Sequence, residues 1–253
     1  MSISNRLIEA KKDIVTFLLF LVLTVVFKND RRVDMKKYGC ILFDLDGTLT
    51  DPYEGITKSV QRALLYFGCE VSDRRELKKF IGPPLRGSFM RYYSIPEDQV
   101  ERAVEEYRKY FSVTGLFENE IYDGISELLA ELCESGVRVL LATSKPEPFA
   151  RRITKYFNID KYFFEQCGSD FEGKHETKAQ VVARALSVCG VDRSDVLMVG
   201  DRMHDVKGAK ENGIDCAGVL WGYGDRAELE EAGADMIFES VSDMRAALLS
   251  DNT

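Results

Sequence analysis

Apolar positions follow two rhythms along the chain. Cys40-Ile41-Leu42-Phe43 is a short apolar run with β-branched and aromatic character, which predicts a buried strand. After Thr50 the rhythm turns helical. Ile56, Val60, Ala63, Leu64 and Phe67 recur at i, i+3, i+4 spacing, and Gly68 stops the run. Glu76 to Phe80 predicts a short helix, Ile81-Gly82-Pro83-Pro84-Leu85 a loop, and Arg86 to Tyr93 a further helix. Pro96-Glu97-Asp98 opens a longer helix through Val100, Val104, Tyr107 and Phe111, with its acids in the first turn where the helix dipole favours them.

From Tyr122 helices and apolar runs alternate. Helices are predicted over 124–134, 148–157, 178–189, 205–212, 225–232 and 241–249. Strands are predicted over 137–142, 163–167, 196–199, 216–220 and 236–238, with Gly168-Ser169-Asp170 as a loop. Such alternation argues a parallel sheet covered on both faces. The expected organisation is one α/β domain from 35–52 and 122–253, interrupted by an all-helical insertion at 53–121.

The first 34 residues stand apart. Ile14 to Phe27 is apolar except for Thr16 and Thr24, and Lys11, Lys12, Arg31 and Arg32 lie outside it. At 14 residues the run is shorter than the roughly 18 to 20 that cross a bilayer comfortably. Three readings are open: a loose membrane anchor over 14–27, a segment docked on the protein or a partner, or upstream sequence before a start at Met35. A dispensable extension of a cytoplasmic protein is the favoured reading, with membrane association as the alternative.

The net charge of -8 argues against non-specific nucleic-acid binding, which needs a basic surface. Cys40, Cys69, Cys133, Cys167, Cys189 and Cys216 show no C-x-x-C spacing and no metal-type cluster. They read as reduced thiols. Monomer and dimer are both compatible with the composition.

Polar residues gather where strands end. Asp44 and Asp46 follow the first strand, Thr143 another, Lys178 opens a helix, and Asp201 and Asp205 flank a strand-to-helix turn. In an open α/β sheet these carboxyl ends share one edge. Two carboxylates two residues apart repel, so their proton affinities should separate or a cation should hold them. Carboxylates without a His or Cys cluster suit Mg²⁺. Thr143, read as lying at a helix N-terminus, offers anion-binding N–H groups, and Lys178 a point charge. Together these describe phosphoryl transfer. Singly, each has another reading: Asp205 or Thr143 as helix caps, Lys178 as a solvated helix-end lysine with Lys174 its rival.

Asp44-Leu45-Asp46-Gly47-Thr48-Leu49, Ala142-Thr143-Ser144-Lys145-Pro146, Lys178 and Gly200-Asp201-Arg202-Met203-His204-Asp205 resemble, in order, the four motifs of haloacid-dehalogenase-type phosphatases. The insertion's position resembles the helical cap of the phosphoglycolate phosphatase-like branch. The resemblance implies a Rossmann-like three-layer α/β/α core with an all-helical cap. It implies that Asp44 attacks phosphorus and that Asp46 acts as acid and base. Thr143, Ser144 and Lys178 would bind the phosphoryl group. Asp44, the Asp46 carbonyl, Asp201 and Asp205 would hold Mg²⁺. Lys178 is preferred to Lys174 because it opens a helix, although the segment lacks the Gly-Lys-Pro form of relatives. Arg86, after the Gly82-Pro83-Pro84-Leu85 loop, is the candidate for a second anionic group of the substrate, since a guanidinium pairs bidentately with carboxylate or phosphate.

The expected activity is hydrolysis of a small phosphate monoester, with phosphoglycolate, a nucleotide and a sugar phosphate all open. The alternatives are a phosphomutase of the β-phosphoglucomutase type and a non-catalytic, membrane-tethered binding protein.

Overall fold

The structure, a computed structural model, describes residues 38–170 and 177–250. The apolar run at 14–27, Lys174 and the extension before Met35 lie outside the described residues. Among the described residues no helix is long and apolar enough to cross a membrane.

Six parallel strands form one sheet. They are β1 (Cys40–Phe43), β4 (Arg138–Pro146), β5 (Glu165–Ser169), β6 (Val196–Gly200), β7 (Asp215–Val219) and β8 (Met236–Phe238), in the order β5-β4-β1-β6-β7-β8. The most apolar strands take the centre. Each residue of β1 is buried, with Cys40 beside Arg138 of β4 and Val196 of β6. Central parallel strands read as continuous apolar runs because helices cover both faces. On one face Cys40, Leu42, Leu140 and Met198 pack with Val181, Val182 and Ala185. Those three residues belong to α6 (Lys178–Cys189). Buried Ile125, Leu128, Leu129 and Leu132 lie on one stripe of α4 (Ile125–Glu134).

Helices α1 (Tyr53–Tyr66), α2 (Leu85–Tyr93) and α3 (Val100–Tyr110) follow β1 and the loop after it. Their chain leaves and returns through a two-stranded antiparallel pair, β2 (Thr50–Asp51) and β3 (Glu120–Ile121), in which Thr50 faces Ile121 and Asp51 faces Glu120. The all-helical expectation therefore overshot at residues 120 and 121. Two residues carry no readable period, and only pairing across the sequence makes them a strand.

Three other expectations are corrected. The helix expected to continue through Phe111 leaves α-geometry after Tyr110 and widens into a π-turn at Phe111–Gly115, where Gly115 packs against the Gly55 backbone. The strand expected at 163–167 lies at 165–169. Phe164 is exposed, and pairing of Glu165 with Leu140 and Cys167 with Ala142 sets the register, so Gly168 and Ser169 are strand and not loop. An edge strand has one neighbour, so its register follows that neighbour more than its own apolar pattern. Finally, β4 runs on irregularly to Pro146 and takes Thr143 with it. Thr143 is thus not at a helix N-terminus, and α5 (Glu147–Tyr156) starts four residues later.

Candidate active site

The loop after β1 carries both leading carboxylates. Gly47, at φ +82°, turns the chain back so that its N–H donates to the Thr50 carbonyl at 2.7 Å. A side chain there would overlap the Asp201 carboxylate. Glycine thus provides both the left-handed backbone and the close approach.

Lys178 is the first residue of α6, whose N-cap Thr177 forms a reciprocal capping box with Gln180. The cap fixes the helix start and with it the lysine. Its Nζ lies 2.7 Å from Asp44 Oδ1 and 2.6 Å from Asp205 Oδ1. Burial alone would lower its proton affinity, but the Asp205 and Asp44 charges outweigh that and hold it raised. Lys178 is therefore a firmly charged ammonium between two acids.

Asp205 lies in the first turn of α7 (Met203–Glu211). Its Oδ2 accepts from the Arg202 N–H at 3.1 Å while Oδ1 faces Lys178. Capping and charge pairing are done by one carboxylate. Burial raises its pKa to about 6, opposed by Lys178 and assisted by Asp44. Asp201 is raised well above the usual carboxylate range, first by burial and then by the Asp205 and Asp44 charges.

These three acids could hold a metal ion. Each offers an oxygen, and the three oxygens lie within 4.8 Å of one another. The donor set is all oxygen, as a hard cation prefers. Asp201 Oδ1 is buried with no hydrogen-bond partner among the described residues. A cation would satisfy that oxygen and relieve the mutual repulsion.

Asp46 stands in different surroundings. Lys145 Nζ lies 2.7 Å from its Oδ2. Burial raises its pKa despite the opposing Lys145 charge. A cavity of ≈ 590 Å³ opens over it, lined among others by Tyr107, Phe111, Phe149, Ser144 and Arg86. Two leading carboxylates thus have separate cationic partners.

The structure brings Asp44, Asp201, Asp205 and Lys178 together and sets Asp46, Ser144 and Arg86 on the adjoining cavity. Thr143 is buried beside Ser144, and its Oγ1 accepts from the Lys145 N–H at 3.3 Å. Arg86 pairs with Glu101 at 2.5 Å. Three contacts escaped the sequence reading. Lys145 to Asp46 was signalled only by the lysine's place at a strand end. The Tyr223 N–H donates to Asp201 Oδ2 at 2.8 Å, and Trp221 Nε1–H to the Thr48 carbonyl at 3.0 Å. The only trace of that loop in the sequence is Gly222-Tyr223-Gly224 after an apolar strand.

Residues 41–219 match the model of the haloacid dehalogenase-like hydrolases, and the chain belongs to that family. It is 47% identical over 193 residues to a 5′-nucleotidase of Pseudomonas aeruginosa, covering 76% of this chain and 87% of that protein. It is 38% identical over 210 residues to the tyrosine-protein kinase PtkA of Mycobacterium tuberculosis, covering 82% of this chain and 72% of that one. A crystal structure of a predicted phosphatase from Clostridium acetobutylicum superposes with a TM-score of 0.81 at 43% identity, covering 85% of this chain and 99% of that one.

Proposed function

We propose that this protein is a Mg²⁺-dependent phosphatase that hydrolyses a small phosphate monoester through an aspartyl phosphate on Asp44. One observation carries the reading: Asp44 is held by Lys178 and Asp46 by Lys145, so two neighbouring carboxylates have distinct environments. Distinct environments let two like groups take different roles.

Asp44, paired with the Lys178 ammonium, attacks phosphorus, and the ester P–O bond breaks. Asp46, whose raised proton affinity suits an acid, protonates the departing oxygen. It then takes a proton from water, whose oxygen attacks phosphorus. The Asp44–phosphorus bond breaks, inorganic phosphate leaves, the Asp44 carboxylate is restored and Asp46 again carries its proton. Lys178, Thr143 and Ser144 bind the phosphoryl oxygens. Mg²⁺ held by Asp44, Asp201, Asp205 and the Asp46 carbonyl supplies charge neutralisation for those oxygens.

Residues 53–121 serve in this reading as a cap over the site. The cavity's apolar ring wall of Tyr107, Phe111 and Phe149 suits a substrate with a flat body more than one as small as phosphoglycolate. With the relative named a 5′-nucleotidase, this favours a nucleoside monophosphate. The test is phosphate release from p-nitrophenyl phosphate and a panel of nucleoside monophosphates, with and without Mg²⁺. No turnover in the wild type, or undiminished turnover in Asp44→Asn, sinks the proposal.

A second reading replaces water by a hydroxyl acceptor, as in a phosphomutase or a kinase. The likeness to a protein named a tyrosine kinase favours it. Transfer of phosphate to an added alcohol or tyrosine peptide, in place of free phosphate, would establish it.

A further inference from the structure

A second cavity, of ≈ 750 Å³, lies beside the β2 and β3 linkers and shares no lining residue with the cavity over Asp46. Its charge is opposite to that of the whole chain. The protein carries a net charge of -8, yet this cavity is lined by Arg75, Lys78, Lys79 and Arg202 against one carboxylate, Asp51. Asp51 is already engaged, since its Oδ1 accepts from the Tyr53 N–H at 2.9 Å and from the Tyr223 hydroxyl.

The cations are not arranged as a solvated face would arrange them. Arg75 and Lys78 lie three apart on the 3₁₀ turn Arg74–Phe80. Residues at i and i+3 of such a turn eclipse one another, so two like charges stand one above the other. Arg75 is tied to Asp73, and Arg202 to Glu228 at 2.9 Å and to the Ile81 carbonyl at 2.8 Å. Lys78 and Lys79 have no carboxylate partner among the described residues. Lys78 Nζ sits 5.6 Å from the centre of the Tyr53 ring, and Lys79 Nζ 4.8 Å from that of Tyr92. Lys78 and Lys79, neighbouring cations without a carboxylate partner among the described residues, suit a polyanion. The remaining wall is aromatic, with Tyr53, Tyr122, Trp221 and Tyr223 half-buried around the opening. Such rings offer stacking faces to a base.

We propose that this cavity is a second ligand site, for a nucleoside polyphosphate whose phosphates meet Arg75, Lys78 and Lys79 and whose base stacks on the aromatic wall. It is separate from the phosphoester chemistry and does not depend on the proposed substrate. Its ligand would nonetheless touch the catalytic loop indirectly, because Trp221 and Tyr223 on its wall donate to the Thr48 carbonyl and to Asp201.

Trp221 is the sole tryptophan of the chain, so intrinsic fluorescence reports on this wall. The full chain is titrated with ATP and with inorganic tripolyphosphate, each without divalent cation, and ATP binding is measured in parallel by equilibrium dialysis. The expected result is a saturable change with ATP and weaker binding of tripolyphosphate. The double variant K78E/K79E should bind ATP about tenfold more weakly or worse, as expected for losing two charge-assisted contacts. Both lysines are exposed, so circular dichroism and phosphate release should match the wild type. Arg86→Ala, in the other cavity, should leave the ATP titration unchanged. The proposal is overturned if dialysis detects no ATP, if K78E/K79E binds it as tightly as the wild type, if Arg86→Ala abolishes binding, or if tripolyphosphate matches ATP.

Discussion

Lys145 Nζ lies 2.7 Å from Asp46 Oδ2 and 4.7 Å from the centre of the Phe111 ring. The ammonium on the core strand β4 thus joins the proposed acid/base carboxylate to an aromatic of the helical insertion. Phe111 is itself stacked on Tyr107 at 5.0 Å and edge-on to Phe149 at 5.5 Å. The lysine opposes the rise in Asp46 proton affinity, so its loss must push that affinity higher still. Lys145→Met is expected to lower kcat roughly 10- to 100-fold and to move the pH–rate limb assigned to Asp46 upward. Lys145→Arg should restore most of the limb's position. A pH profile unmoved in Lys145→Met would break the link.

The acidic trio makes metal binding and pH inseparable. With the pKa of Asp205 raised to about 6 by burial, its contribution to stability in the metal-free protein is present below the usual carboxylate value near 4 and is lost as pH rises through about 6. A divalent cation competes with protons for the same oxygens and releases them. The increase in Tm on adding Mg²⁺ should therefore be larger at pH 7.5 than at pH 5, pH values chosen to lie on either side of that pKa. Asp201→Asn should remove most of the increase. Thermal melts with Mg²⁺ or EDTA give the answer, and an equal shift at both pH values would contradict it.

Gly222 lies where the Gly47 carbonyl and the Asp201 side chain converge, and a Cβ there would overlap both. Neither neighbour is the free end of a flexible side chain. Gly222→Ala is expected to destabilise the fold by roughly 1–3 kcal/mol, the range for overpacking. Because the displaced atoms belong to the loop of the proposed nucleophile and to the acidic trio, activity should fall further than stability. Urea unfolding and kcat measured on the folded fraction separate the two effects.

Thr177 caps the helix that begins with Lys178 and accepts from the Gln180 N–H at 3.3 Å. Thr177→Ala should lower stability by about 1 kcal/mol, the usual worth of an N-cap. It should also raise KM for phosphate esters, since the ammonium is fixed by the helix start. Thr177→Ser should behave like the wild type in both measurements.

The parts of this protein legible in the sequence are those with a local cause. β1, β6, α6 and α9 (Val241–Leu249) lie where apolar rhythm, caps and glycines put them. Asp44, Asp201, Asp205 and Lys178 come together because parallel strands end on one edge, a rule that needs no coordinates. What escaped was set by partners distant in sequence. The two residues of β3 are a strand only because Thr50 and Asp51 lie opposite. The register of β5 belongs to β4. The ion pair of Lys145, the loop of Trp221 and Tyr223 against the turn after β1, and the hold of Arg202 on the Ile81 carbonyl leave no spacing to read.

The central place of β1 has a consequence for how the molecule comes into being. It precedes every other described strand in the chain, yet its two neighbours, β4 and β6, are separated from it by long stretches of sequence. During synthesis it leaves the ribosome well ahead of either, with both backbone edges open and all four side chains apolar. Pairings of such high contact order close slowly. The strand that leads into Asp44 must therefore wait, shielded by other means, until β6 has been made. A nascent chain arrested near residue 190 should be a chaperone client and aggregation-prone, while one extended past β8 (Met236–Phe238) should become protease-resistant.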